Sequence, residues 1–121
     1  MRTALVVAGL LWGVSAFAGD LDHYKLTTAA DLAKVCSTPA SARDAVAATA
    51  FCHGVLAGSY GYFVATTPAA DRFVCPPTPA VTRAHVAMAF SDWVKAHPQY
   101  ENQGAIDALF RFAAEAYPCK R

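Results

Sequence analysis

Apolar residues recur at helical spacing along most of the chain, and no stretch shows the strict alternation of a half-buried strand. The longest apolar run spans residues 42–65. Ser41 followed by Asp44 forms a helix start signal, and no proline interrupts before Pro68. One helix is predicted there, about 35 Å long at the usual rise per residue. Cys52 lies near its middle, and Gly54, Gly58 and Gly61 fall on or near one face. An interior glycine costs about 1 kcal/mol relative to alanine, so three of them call for a reason. Either another backbone approaches closely, or the helix kinks near Gly58–Gly61.

Three shorter helices are predicted around this one. The first runs from a Thr28 cap, with Asp31 three residues on, through Leu32 and Val35 to Cys36; Pro39 ends it. Another starts at Thr78 or Thr82, carries Val86, Ala89, Phe90, Trp93 and Val94 on one stripe, and closes at His97-Pro98. The last begins near Ala105, places Ile106, Leu109, Phe110, Ala113 and Tyr117 on one face, and stops at Pro118-Cys119. A proline-rich loop (66–79) and a polar turn (97–104) connect them. The expected fold is all-α, a compact bundle of about four helices.

Composition then separates the chain into parts. Met1-Arg2 is a short positive start, residues 4–14 are apolar, and Ala16-Phe17-Ala18 has the small-x-small form of a signal peptidase site. Residues 1–18 read as a secretory leader, 19–27 as a polar extended arm, and 28–121 as the helical domain. His23 and Tyr24 in the arm show no partner pattern, and His23 reads as solvated. Loss of Arg2 with the leader leaves nine basic against nine acidic residues. That balance lacks the basic excess of a nucleic-acid binder, and no membrane segment is expected after cleavage.

Four cysteines in an exported chain imply two disulfides, which can pair in three ways. With the last three helices running up, down and up, Cys75 and Cys119 meet at one pole. That favours Cys75–Cys119 and leaves Cys36–Cys52. No C-x-x-C exists for zinc, and Thr49 occupies the position where a haem-attachment motif ending in Cys52-His53 needs a cysteine. Neighbouring side chains on a helix point about 100° apart, which argues against a Cys52–His53 nucleophile. Ser59 lies in no nucleophile elbow, and the carboxylates show no paired spacing. Neither a catalytic set nor a cofactor is expected. The residues alone suggest a small exported helical binding module, with the polar turn His97, Gln99, Tyr100, Glu101 and Asn102 as its expected contact surface, Tyr100 as anchor, and the loop 66–79 as a second candidate. Exposed turns on a rigid scaffold commonly carry recognition.

Taken in order, Asp31-Leu32-x-x-Val35-Cys36, Cys52-x-Gly54-x-x-x-Gly58, Cys75-Pro76-Pro77, Val81-Thr82, His97-Pro98 and Tyr117-Pro118-Cys119 resemble the Rap/Tai family of type VI secretion immunity proteins. The resemblance spans about residues 28–119. It implies a periplasmic, all-helical, disulfide-containing protein, commonly a homodimer, that blocks a peptidoglycan amidase effector without catalysis. The sequence departs from the family pattern at Gln99, where an acid is usual, at Gly104, where proline is usual, and at Val55, where tyrosine is expected. An alternative reading of the same features is a small periplasmic stress chaperone that opens at low pH.

Overall fold

The computed structural model describes residues 21–120, so the expected leader, residues 1–18, lies outside them. Four helices follow one another: α1 (Ala29–Cys36), α2 (Ala45–Thr66), α3 (Arg83–Ala96) and α4 (Ala105–Ala116). Short 3₁₀ turns occupy Leu21–Tyr24, Ala69–Asp71 and Pro98–Tyr100. Among the described residues, extended pairing is confined to two isolated bridges, Thr28 with Gly104 and Val74 with Pro118. The all-α bundle is therefore the observed architecture.

Helix α1 starts where the local sequence says it should. The Thr28 hydroxyl accepts the Asp31 N–H (3.2 Å), and the Asp31 carboxylate accepts the Thr28 N–H (2.9 Å). This reciprocal box satisfies donors that every helix N-terminus leaves open. The bond from the Thr28 backbone holds the Asp31 carboxyl below the usual carboxylate range. Two further donors of the same helix end, the N–H groups of Ala29 and Ala30, reach the carbonyls of Gln103 (2.8 Å) and Glu101 (3.0 Å). The turn before α4 is thereby tied to the start of α1.

Helix α1 is central to the core. Ala29, Leu32, Ala33 and Val35 are buried against Ala48, Cys52 and Leu56 of α2, Ala87, Phe90 and Val94 of α3, and Ala105, Ala108, Leu109 and Phe112 of α4. Ser91 is the buried polar side chain in this core, and it is satisfied. Its hydroxyl lies 2.9 Å from the Ala87 carbonyl and 3.1 Å from that of Ala33, sharing one donor between its own helix and α1. Cys36–Cys52 joins α1 to α2, and Cys75–Cys119 joins the proline-rich loop to the chain end. Both expected pairs are present.

Helix α2 starts at Ala45, three residues later than its apolar pattern suggests. Residues 39–45 form successive turns, in which Ala42 N–H bonds the Pro39 carbonyl and Ala45 N–H that of Ala42. The Asp44 side chain makes no cap bond. Its carboxylate instead accepts from the Tyr24 hydroxyl at 3.0 Å and lies 3.6 Å from His23 Nε2. The expectation of an extended arm with a solvated His23 is thereby overturned. Leu21–Tyr24 forms a 3₁₀ turn, His23 also meets Thr38 (3.3 Å), and the Tyr24 ring packs edge-on against Phe51. Lost hydration and the Asp44 carboxylate raise the Tyr24 hydroxyl above its ordinary pKa. At its other end α2 is closed by Arg72, whose guanidinium donates to the carbonyls of Val64 (2.9 Å) and Thr67 (3.2 Å).

The glycines of α2 do something different from what their spacing suggests within one chain. A Cβ built on Gly54, Gly58 or Gly61 meets no atom within 4 Å. Their face points away from the buried stripe of Ala48, Cys52, Leu56 and Phe63, so no backbone among the described residues approaches it. A helix break at Gly58–Gly61 is not seen either, since α2 continues to Thr66.

Candidate functional site: an aromatic ridge at the α3–α4 turn

The polar turn singled out in the sequence is held by an aromatic stack. Trp93, on the last turns of α3, is half-buried, and its indole lies parallel to the Tyr100 ring at 5.5 Å and to the His97 ring at 4.6 Å. Proline at position 98 opens a 3₁₀ turn that carries Tyr100 back over the indole. Arg111 of α4 also lies over the Tyr100 ring, its guanidinium carbon 4.5 Å from the centroid. The layers run His97 and Tyr100 on Trp93, then Arg111 on Tyr100. Stacked aromatic pairs and exposed cation–π contacts are each worth about 0.5–1.5 kcal/mol, enough to hold one arrangement of a surface turn.

Hydrogen bonds fix the layers further. The Trp93 indole N–H donates to Glu115 Oε2 at 2.8 Å, and Arg111 Nε donates to Gln103 Oε1 at 3.3 Å. His97 Nδ1 lies 2.7 Å from the Trp93 carbonyl. A carbonyl only accepts, so Nδ1 carries a proton and donates it there. Behind the indole, Phe90 and Phe112 form the buried support, at 6.5 Å and 6.1 Å from Trp93. The ridge is thus anchored to the core on one side and to the start of α1 through the carbonyls of Glu101 and Gln103 on the other.

Of the expected contact residues, Gln99, Glu101 and Asn102 are exposed on the turn, while His97 and Tyr100 are half-buried in the stack. Spacing assigned Trp93 to the core and gave no role to Arg111 or Glu115; the folded chain brings all three to the ridge. The proline-rich loop contributes one residue nearby. Phe73, about half exposed, lies across a shallow groove from Gln103, Arg111 and Glu115. Its prolines are elsewhere, beside α2 and the start of α3.

The arrangement suits recognition of a protein surface. It combines tryptophan, tyrosine and arginine, the residue types enriched at binding hot spots, with a rim of exposed amides and acids. All four cysteines are in disulfides, and no three His, Cys, Asp or Glu side chains cluster as a metal site among the described residues. No helix among the described residues is long and apolar enough to cross a membrane. The model of a protein family described as Rap1a immunity proteins matches residues 28–119. Comparisons with curated proteins and with solved structures returned no match.

Proposed function

The chain belongs to the Rap1a immunity proteins, and from that premise we propose that it is a periplasmic, non-catalytic inhibitor that binds and occludes a peptidoglycan amidase effector delivered by type VI secretion. The observation that carries this reading is the Trp93–Tyr100–Arg111 stack. A hot-spot set held rigid before binding loses little conformational freedom on contact, which is what a stoichiometric inhibitor needs. Two disulfides suit an oxidising compartment.

Immobilised oxidised protein, exposed to source-cell lysate and to competitor-culture supernatant, is expected to retain one cysteine–histidine amidase at high salt. Tyr100→Ala and Arg111→Glu are each expected to weaken that complex by about 30-fold or more, the effect of losing a hot-spot residue. Full inhibition by both variants would remove the ridge from the interface.

We also propose that two copies pair through the outer face of α2. No charged residue occurs between Ala45 and Thr66, and Val46 and Tyr62 on this helix are 85% and 73% exposed. An antiparallel crossing with its two-fold axis at Gly54 would oppose Ala50 to Gly58 of the partner subunit and Val46 to Tyr62 of the partner subunit. The open space at Gly54, Gly58 and Gly61 would then admit a second backbone. Light scattering is expected to give a dimer mass that Gly54→Arg reduces to a monomer; a monomeric parent protein would end the proposal. The same exposed face supports the chaperone alternative, which predicts suppression of unrelated client aggregation at acid pH.

A further inference from the structure

A second surface feature lies on a different side of α4 from the ridge. A cavity of about 350 Å³ opens between α2, the proline-rich loop, the first turn of α3 and α4. Its lining is almost wholly apolar and includes the buried Leu56, Val74 and Leu109, with Pro77 and Val81 at the side. Its size falls in the range of small-molecule pockets. Water inside such a lining finds few partners, so an apolar body displaces it favourably.

The charged chemistry of the cavity has one sign. Arg83 is the ionised side chain among the lining residues, no acid lines the cavity, and Arg83 takes part in no ion pair within the described chain. Arg83 also opens α3. The Thr82 hydroxyl caps the His85 N–H, but the N–H groups of Arg83 and Ala84 find no acceptor among the described residues, so the positive end of the helix lies at the same rim. The Tyr60 and Tyr117 hydroxyls also belong to the lining, and neither is engaged in a hydrogen bond within the described chain.

The walls are preformed. Cys75–Cys119 and the bond from Cys75 N–H to the Tyr117 carbonyl (2.8 Å) join the loop to the end of α4, beside the Val74–Pro118 bridge. A ligand entering between cross-linked elements has little chain to order. We propose that this cavity binds an amphiphilic carboxylate, with its apolar chain against Leu56, Val81 and Leu109 and its head on Arg83 and the start of α3.

Calorimetric titration of the oxidised protein with decanoate, decanol and decyltrimethylammonium tests this directly. Decanoate is expected to occupy a single site below its micellar concentration, with decanol about tenfold weaker and the cationic amphiphile weaker still. Arg83→Glu should lower decanoate affinity by about tenfold and leave decanol unchanged. Val81→Trp, on an exposed loop position, should fill the cavity and abolish both, while its melting curve stays that of the parent. Absence of decanoate binding overturns the proposal, as does binding indifferent to both substitutions or uptake of many equivalents. Binding that emerges only on dilution would place a second copy over the cavity and also overturn it.

Discussion

Replacing Cys75 and Cys119 together by alanine is expected to lower the unfolding free energy by about 4 kcal/mol, on the chain-entropy account of loop closure. The two cysteines are 44 positions apart, so the bridge removes a large set of open conformations from the unfolded chain. Cys75 is exposed and Cys119 only half-buried, so the substitution leaves little cavity behind. The Cys36–Cys52 bridge spans 16 positions and is worth about 3 kcal/mol on the same account. There the buried Cys52, 1% exposed, adds a packing loss. Together they come to about 7 kcal/mol, at least about half of the net stability of about 5–15 kcal/mol usual for a domain. Urea unfolding with and without reductant measures this. An unchanged midpoint in the Cys75/Cys119 variant would show that the Val74–Pro118 bridge and its neighbouring contacts hold that pole unaided.

Phe90→Ala is expected to cost about 3–5 kcal/mol, the usual loss for a fully buried aromatic. Phe90 has no exposed surface, and its ring lies edge-on to Phe112 at 5.8 Å and parallel to Trp93 at 6.5 Å. Its removal empties the junction of α1, α3 and α4 and takes away the support behind the ridge. Two readouts should therefore move together: the melting temperature falls, and the near-ultraviolet circular dichroism of Trp93 weakens even well below the melt. Phe90→Leu keeps most of the volume and should cost about 1 kcal/mol, with the tryptophan signal largely retained. A Phe90→Ala protein that melts like the parent would contradict the assigned core.

The parts of this molecule that were legible in the sequence are those whose cause is local. Thr28 and Asp31 could be read as the start of α1 because the capping box closes within four residues. The stripe Val86–Phe90–Val94 follows from helical period alone, and the cysteine pairing follows once three helices must alternate in direction; on α4 the period picked Ile106, Leu109, Phe110, Ala113 and Tyr117, whereas the packed chain buries Ala105, Ala108, Leu109 and Phe112. Helix α2 shows where such reading stops. It starts at Ala45 and not at residue 42, behind successive turns over 39–45, and the Asp44 carboxylate meets Tyr24, twenty positions earlier, a contact that no local window contains. The glycine spacing put Gly54, Gly58 and Gly61 on or near one face, but period gives a direction and says nothing of what stands there; among the described residues that face is open.

The ridge divides the same way. Sequence marked the turn at 97–103 and Tyr100, because a histidine–proline stop followed by polar residues must lie at the surface. It assigned Trp93 to the core, since a stripe position fixes the side of a helix and not how far the covering helix reaches. Only the packed structure brings Arg111 and Glu115 of α4 alongside the end of α3, where the indole gains a carboxylate and Tyr100 gains a guanidinium. By itself the sequence determined which segments are helical, the Thr28 cap of α1 and which cysteines could meet. The tertiary structure decided which aromatic residues share one stack and which apolar surfaces stay uncovered, because those depend on distances between segments far apart in the chain.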